Sequence, residues 1–247
     1  MNTAPQLDIA VIIPALNEES RIGPLLHSLA AMDVQEIAVA DGGSIDQTVM
    51  IARSHPRVTV VVSGGGRGPQ INATIEQTRA PLLVILHADT ILPVEAPNLI
   101  RKALENKQVA GGCFRLRFDN PAFMLKLYAW FSRFETSFTT FGDQAYFFRR
   151  SDFEAVGGAP EWPFLEDVEL RARLRRRGKF VKVAQEVITS ARRFQFRGVI
   201  LCQLRNLLIL TAYWIGVPVE CLAEFYWAPG HSSARGKLPL ATQGREQ

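Results

Sequence analysis

Cysteine is scarce in this chain of 247 residues, which contains only Cys113, Cys202 and Cys221. The three are far apart, and each is set among apolar residues. Their odd number does not suit a framework of paired disulfides, and their spacing does not suit a zinc site. We therefore expect reduced thiols, as in a cytoplasmic protein.

The sequence predicts neither a targeting segment nor a membrane-spanning one. The opening residues, MNTAPQLD, are polar and lack the basic region that begins a secretory signal peptide. The apolar run at residues 207–215 is shorter than the ~20 residues that span a bilayer. A helix expected at residues 199–215 therefore has three interpretations: it is buried, it pairs with a second copy in a homodimer, or it lies peripherally on the inner membrane face.

Charge of either sign is not in large excess, since the net charge is +4. Arginines cluster at residues 171–177 and 192–197, and such clusters suit a phosphate-bearing ligand or an anionic membrane. A solvated helix face is the simpler explanation for the first cluster. Because no known reader motif accompanies the charge, we expect no nucleic-acid partner.

Strand and helix patterns alternate through the first half of the chain. Apolar runs predict strands at residues 7–13, 36–40, 58–62 and 82–86, and helical periodicity predicts helices at residues 18–32, 44–54 and 69–78. This order predicts an α/β fold with a mostly parallel sheet and helices on both faces. We expect Pro14 to end the first strand.

The second half of the chain is less regular. Strands are expected at residues 109–118, 144–149 and 180–183, and helices at residues 121–141, 166–177 and 199–215. Residues 229–247 have no apolar periodicity, which predicts a flexible tail.

The segment PALNEE, residues 14–19, follows the first predicted strand. Asn17 suits a turn, and Glu18 and Glu19 would be favourable in the first turn of a helix. Alternatively, a carboxylate or backbone group of this segment contacts a ribose or a base.

The second predicted strand ends in DGGSIDQT, residues 41–48. Asp41 can accept hydrogen bonds from a ligand, as an acid does in dinucleotide-binding folds. Gly42 and Gly43 allow a ligand to approach the backbone closely. For Ser44 and Asp46, helix capping is the favoured explanation.

The third predicted strand is followed by SGGGRGPQIN, residues 63–72. A Gly-rich turn that opens a helix suits an anion, and Arg67 adds positive charge. The segment is neither GxGxxG nor a Walker sequence, so by itself it also fits an ordinary loop. The anion-binding interpretation is favoured because three consecutive strand ends now carry residues able to bind a ligand.

Acidic residues follow in two further segments. Asp89 lies in LHADT, residues 86–90, where the fourth predicted strand ends, and Glu166 and Asp167 lie in FLEDVE, residues 164–169. One carboxylate that holds a metal and one that acts as a base would suit transfer from a phosphorylated donor.

Taken together, these segments resemble family-2 glycosyltransferases. PALNEE, DGGSIDQT, GGGRGPQIN, LHADT, GDQAYFFRR and FLEDVEL occur in the family's order and cover residues from about 8 to 193. The chain looks most similar to small bacterial radical-SAM/selenodomain-associated or arsenosugar-type transferases. The resemblance implies the glycosyltransferase A-type fold: one catalytic domain, residues 1–228, with a Rossmann-like nucleotide-binding half (about 1–90) and an acceptor half (about 91–228).

The resemblance also implies roles for particular residues. LHADT matches the metal motif DxD with His87 in place of the first acid, so Asp89, with His87 as a second candidate, is expected to hold Mg²⁺ or Mn²⁺. Glu166 and Asp167 match a pair whose second acid is the general base. SARRF, residues 190–194, stands where the family often has QxxRW. The expected nucleotide-binding residues are Pro14, Ala15, Asn17, Glu18, Asp41, Gly42, Gly43, Gly66, Arg67, Gly68, His87, Ala88, Arg192 and Arg193.

The implied reaction moves a sugar, with inversion, from a UDP- or GDP-sugar to a hydroxyl acceptor. The acceptor is not identified by the sequence, and a lipid is among the candidates. A nucleotidyltransferase is one alternative, but it would normally carry its Gly-rich loop directly after the first strand, where this chain has PALNEE. A non-catalytic nucleotide-sugar-binding relative is another, but the loss of Asp89 or Asp167 that would indicate it is not seen.

Overall fold

The computed structural model describes residues 8–162, 164–195 and 198–226, which form one eight-stranded sheet with helices around it. The strands are β1 (Ile9–Ala15), β2 (Glu36–Asp41), β3 (Val58–Val62), β4 (Leu82–Ile85), β5 (Thr90–Ile91), β6 (Val109–Phe118), β7 (Tyr146–Arg149) and β8 (Lys179–Thr189). The helices are α1 (Glu19–Ala30), α2 (Thr48–Arg53), α3 (Arg67–Glu76), α4 (Ala96–Glu105), α5 (Phe123–Phe131), α6 (Arg150–Ala155), α7 (Glu166–Arg177), α8 (Arg192–Gln195), α9 (Val199–Trp214) and α10 (Val219–Tyr226). The predicted tail at residues 229–247 lies outside the described residues.

The sheet is parallel on one side and mixed on the other, in the order β3-β2-β1-β4-β7-β6-β8-β5. The pairs β3–β2, β2–β1 and β1–β4 are parallel, as the alternation of strands and helices predicted. Strand β7 is antiparallel to both β4 and β6, β8 is parallel to β6, and β5 is antiparallel to β8. The predicted α/β fold class is confirmed, and the antiparallel pairs all involve strands from the irregular part of the chain.

Both faces of the sheet are covered by helices, which explains why β1 is apolar throughout. Val11 packs in a core with Leu26 of α1 on one face, whereas Ile12 packs with Ile71 of α3 on the other. A strand buried on both faces has no polar alternation.

Pro14 does not end β1 as predicted, because it pairs with β2 and the strand continues to Ala15. Ile12 accepts a hydrogen bond from Leu86 N on the β4 side, and Ala15 accepts one from Gly42 N on the β2 side. The backbone N–H and C=O groups of successive residues in a strand point toward opposite neighbouring strands. The Pro14 nitrogen therefore points toward β4. Strand β4 has already ended there, so the missing N–H breaks no pairing.

The helix predicted at residues 44–54 begins later, at α2, because the preceding polar residues bond to another loop. Asn17 N donates to Ser44 Oγ at 2.9 Å, and Glu19 N donates to Asp46 Oδ2 at 3.1 Å. Ser44 therefore does not cap α2, which was the favoured explanation. Asp46 also accepts a hydrogen bond from Thr48 N, so its carboxylate links the start of α1 to the start of α2.

The aromatic segment at residues 121–141 is helical only over α5, and a 3-10 turn, Gly142–Gln144, precedes β7. Strand β8 is longer than the predicted 180–183 because it pairs along β6 and, at its end, with β5.

Helix α9 is not buried as a whole, contrary to one of its three interpretations. Cys202, Ile209 and Leu210 face the protein, while Leu201 and Leu208 are exposed. None of the described helices combines the length and apolar character needed to cross a membrane. The cysteines are thiols, with Cys113 and Cys202 buried and Cys221 exposed.

Candidate active site

The loops that follow β1, β2 and β4 meet at one edge of the sheet. Ala15 at the end of β1 pairs with Asp41 at the end of β2. Leu86, directly after β4, donates its backbone N–H to the carbonyl of Ile12. PALNEE, DGGSIDQT and LHADT are therefore neighbours, and ligands of open α/β sheets bind at this carboxyl edge.

Asp41 is buried at this edge, with 1% of its surface exposed. One carboxylate oxygen, Oδ2, accepts hydrogen bonds from Gly43 N at 2.9 Å and Ser44 N at 3.0 Å. The other, Oδ1, is buried and has no hydrogen-bond partner among the described residues. Since buried polar atoms in folded proteins are nearly always paired, this oxygen suits a donor group of a ligand. A Cβ on Gly42 would lie 2.7 Å from Nε2 of Gln70, so a side chain there would require Gln70 to shift.

Arg192 joins two of the predicted acids. Its guanidinium forms an ion pair with Glu18 and lies 3.6 Å from Asp89 Oδ2. The second carboxylate oxygen of Glu18, Oε2, is buried without a hydrogen-bond partner among the described residues. Arg192 and Glu18, together with Leu16 and Asn17, line an open pocket of about 390 Å³. The side chain of the adjacent predicted residue, Arg193, lies outside the described part of the structure.

The Gly-rich loop reaches the acidic pair of the second half. Helix α3 begins at Arg67, directly after Gly66, whose φ of 98° favours glycine. Arg67 Nε lies 2.8 Å from Glu166 Oε1. Gly68 is in close contact with the backbone of Pro160, because an added Cβ would lie 1.9 Å from the Pro160 carbonyl oxygen.

Glu166 and Asp167 have different environments. Glu166 is 3% exposed, and burial raises the pKa of its carboxyl to about 7; the charge of Arg67 opposes this rise and that of Asp167 adds to it. Asp167 is half-buried, and its Oδ2 accepts a hydrogen bond from Gly142 N at 2.6 Å. Glu166 is therefore tied to Arg67, while Asp167 is held through a backbone amide.

A narrow cavity opens beside Asp167. It is lined by Pro14, His87, Gly142 and Tyr146, among others. A Cβ on Gly142 would lie 3.2 Å from both Asp167 Oδ2 and His87 Nε2, so these two side chains flank the glycine. Gly142 and Tyr146 were not among the predicted site residues, although both lie in GDQAYFFRR, a motif of the resemblance.

Comparisons with known proteins identify the family of this chain. The family model described as "Glycosyl transferase family 2" matches residues 10–157. The chain belongs to this family. The predicted subgroup, the radical-SAM/selenodomain-associated or arsenosugar-type transferases, stays a prediction.

Two curated relatives of this family-2 chain are similar in sequence. The β-monoglucosyldiacylglycerol synthase of Synechocystis sp. is 26% identical over 200 residues, which cover 70% of this chain and 41% of that protein. The 4,4'-diaponeurosporenoate glycosyltransferase of Staphylococcus aureus is 46% identical over 55 residues, 22% of this chain and 15% of that protein. The chain thus spans less than half the length of each relative.

Two solved structures are similar in fold. A mannosyltransferase from Pyrobaculum calidifontis, in complex with GDP-Man and Mn²⁺, has a TM-score of 0.67 and 19% identity, covering 92% of this chain and 72% of that one. Glucosyl-3-phosphoglycerate synthase from Mycobacterium tuberculosis, in complex with Mn²⁺, UDP and phosphoglyceric acid, has a TM-score of 0.61 and 20% identity, covering 86% and 80%. Both likenesses support the Rossmann-like α/β fold of this family-2 chain.

The predicted metal ligands of the family-2 chain do not form a complete metal cage. His87 lies beside Gly142, whereas Asp89 faces Arg192, and Ala88 between them is buried. Within the described residues, no group of three or more His, Cys, Asp or Glu side chains could hold a metal ion. Any cation at Asp89 would need further ligands from a bound molecule.

Non-glycine residues with positive φ lie next to site residues. They are Asn17, with φ 54°, Ala145, with φ 52°, and Leu165, with φ 62°. Asn17 is held because its Oδ1 accepts a hydrogen bond from Ile45 N. Such conformations cost free energy and recur at functional sites. Here they set the backbone just before Glu18, Tyr146 and Glu166.

The buried Glu166 should make stability depend on pH. Because its pKa is raised to about 7 from an ordinary value of 4.5, the folded state favours the protonated form. This stabilisation is present below about pH 4.5 and is lost as the pH rises through about 7. Relative to Glu166→Gln, we expect the free energy of unfolding to fall by roughly 2–3 kcal/mol over this range. Urea unfolding of both proteins at several pH values checks this, and identical pH profiles would contradict it.

Proposed function

We propose that this chain transfers a sugar from a nucleotide-sugar donor to a hydroxyl acceptor. The observation that carries the proposal is the buried, unpartnered Oδ1 of Asp41, which lies at the same sheet edge as LHADT in a family-2 fold. A donor group of a nucleoside would satisfy that oxygen. The proposed catalytic domain is residues 1–228, and its nucleotide-binding half is about 1–90. The close contact of Gly68 with the backbone of Pro160 supports a single domain that includes both halves.

The nucleoside diphosphate is proposed to lie along the ends of β1 and β2 and over the start of α3. The approach of a ligand is open at Gly43, where a Cβ would meet nothing within 4 Å. Arg67 and Arg192 supply positive charge at the two sides of the edge. The names of the solved neighbours support a UDP- or GDP-linked donor, since those proteins were solved with GDP-Man or UDP.

Asp167 is the proposed general base. An acceptor hydroxyl is a weak nucleophile until its proton is removed, and Asp167 offers a carboxylate in the cavity beside His87 and Gly142. Glu166 is less suited, because it is buried and paired with Arg67. A single displacement assisted by one base would invert the anomeric carbon.

A divalent cation, Mg²⁺ or Mn²⁺, fits this site as a partner of the donor. Asp89 is half-buried, and its contact with Arg192 uses Oδ2, which leaves Oδ1 for a hard cation. Mg²⁺ is commonly held by one or two carboxylates together with substrate phosphates. When bound, such an ion would stabilise negative charge on the leaving diphosphate. A ligand role for His87, a lipid acceptor and a cytoplasmic location stay predictions.

The nucleotide site can be tested by calorimetry with UDP and GDP. Asp41→Asn keeps one oxygen for Gly43 N and Ser44 N but replaces the unpartnered oxygen by an amide nitrogen. We expect the better nucleotide to bind about 10–100-fold more weakly, because a hydrogen bond to a charged group is worth about 1.5–3 kcal/mol. Glu36→Gln is the matched control, since Glu36 lies at the other end of β2 and bonds to Arg79 N and Ala80 N. Equal affinities for wild type and Asp41→Asn would remove Asp41 from the site.

The same titration with and without Mn²⁺ tests the cation. Mn²⁺ should strengthen nucleotide binding to the wild type and to His87→Ala more than to Asp89→Asn. The reverse order would exchange the roles of His87 and Asp89, and full turnover in the presence of a chelator would exclude the cation.

A further inference from the structure

Two neighbouring helices expose a wide apolar surface. Helices α5 and α9 contact each other. The exposed apolar side chains of this region are Phe123, Met124, Leu127, Trp130, Phe131, Phe134, Phe138, Ile200, Leu201, Leu204, Leu207, Leu208, Trp214 and Ile215. We call this surface the α5–α9 face. Contiguous apolar patches of such extent mark interaction sites rather than ordinary protein surface.

The exposed residues of α9 lie on one side of the helix. Ile200, Leu204 and Leu208 are four residues apart, which places them in one row, while Cys202 and Ile209 face the protein. The helix is therefore apolar on both sides: one side packs on the protein and the other meets solvent.

The two helices of the face contain no acidic residue. Residues 120–134 include the exposed Lys126 and Arg133 but neither Asp nor Glu, and residues 199–214 include Arg205 but neither Asp nor Glu. Glu135, which lies between Phe134 and Phe138, is paired with two arginines of α7. At the average frequency of the chain, 24 acidic residues in 247, several would be expected in these two segments. A partner that is apolar inside and negatively charged at its surface complements this pattern.

We propose that the α5–α9 face docks the protein on an anionic lipid bilayer. Leucine, phenylalanine and tryptophan beside cations are the composition of helices that lie in the membrane interface. Arg133 lies over the ring of Trp130, 4.7 Å from its centroid, which combines a cation with an aromatic ring suited to the headgroup region. A second copy of this chain is less suitable, because a symmetric pair would bring together helices that carry cations and no acidic residue.

Docking on this face would bring the bilayer close to the acidic pair. The protein side of α9 packs on Trp162, Phe164 and Leu165, the residues just before Glu166. Tyr213 Oη also donates a hydrogen bond to Glu169 Oε2 at 2.7 Å, in the first turn of α7. The proposal does not depend on the proposed function, since docking requires no donor, metal or turnover.

Vesicle flotation with the full chain tests the proposal. The protein should float with vesicles of phosphatidylcholine and phosphatidylglycerol and much less with phosphatidylcholine alone. Binding should weaken when salt is raised from about 0.1 M to about 1 M, where the Debye length falls from about 10 Å to about 3 Å. Leu201→Gln/Leu208→Gln should lower the partition coefficient about ten-fold or more, because the transfer of each leucine side chain from water into the bilayer favours binding.

The matched control is Met50→Gln/Val94→Gln, which removes two exposed apolar side chains that do not belong to the face. It should bind vesicles as the wild type does, and melting curves should show that both double variants fold. Three results would overturn the proposal: no flotation, equal flotation with neutral vesicles, or a homodimer that the leucine variant dissociates. Asp167→Asn should float normally, so failure of catalysis and failure of docking are distinguishable.

Discussion

Replacing Asp167 by asparagine is expected to lower kcat by about 10²–10⁴-fold, the usual contribution of a positioned general base. Donor affinity should hardly change, because the pairs that would meet a diphosphate, Arg67–Glu166 and Arg192–Glu18, are left intact. Asparagine keeps an oxygen that can accept the hydrogen bond from Gly142 N, so the loop should stay in place. Release of nucleoside diphosphate, with water as a provisional acceptor, provides the assay.

Glu169→Gln is the control for charge on helix α7. Its carboxylate lies in the same first turn but pairs with Arg173 and Tyr213 rather than facing the cavity. If Asp167 acted only through the helix dipole, both variants would lose roughly 0.3–1 kcal/mol of stability and neither would lose turnover. Kinetics and a melting curve on the same samples separate the two explanations.

Gly68→Ala should be the most destabilising conservative change in the Gly-rich loop. Its new methyl group would lie 1.9 Å from the Pro160 carbonyl oxygen, so the backbone of one segment must move. Overpacking of this kind typically costs about 1–3 kcal/mol, and backbone contacts leave little room to relax. Urea unfolding measures the loss.

Gly64→Ala is the matched control, because it lies in the same loop and a Cβ there meets nothing within 4 Å. It should leave the free energy of unfolding within about 0.5 kcal/mol of the wild type, as surface changes usually do. Equal losses in the two variants would mean that the contact with Pro160 is not rigid.

Elements with a clear pattern could be predicted from the sequence. The observed bounds of β6 and α7 agree with the predicted ones, because alternation and a following glycine mark them. Helix α4 was missed: its buried face includes Arg101, which pairs with Asp33 at 2.7 Å, and a charged residue obscures an apolar stripe.

The sequence could point to candidate site residues where a side chain, rather than the backbone, would carry the chemistry. Asp41, Asp89 and Asp167 stand in recognisable segments at strand or helix ends. The amide of Gly142 could not be identified, because a backbone group leaves no mark in the sequence. The pairing of Arg192 with Glu18 depends on tertiary packing, so local patterns do not reveal it.

The ion pairs of the site also bear on how the protein folds. Arg67 and Glu166 are 99 residues apart in sequence, and Glu18 and Arg192 are 174 apart. Contacts of such separation are slow to form, because long intervening loops must close before the contact stabilises the protein. A partly folded intermediate in which these loops are still open would lack the proposed nucleotide site. A ligand of that site should bind the native state alone and raise its melting temperature, by an amount that grows with the logarithm of ligand concentration above Kd, so that thermal stabilisation by a nucleotide would report completed folding.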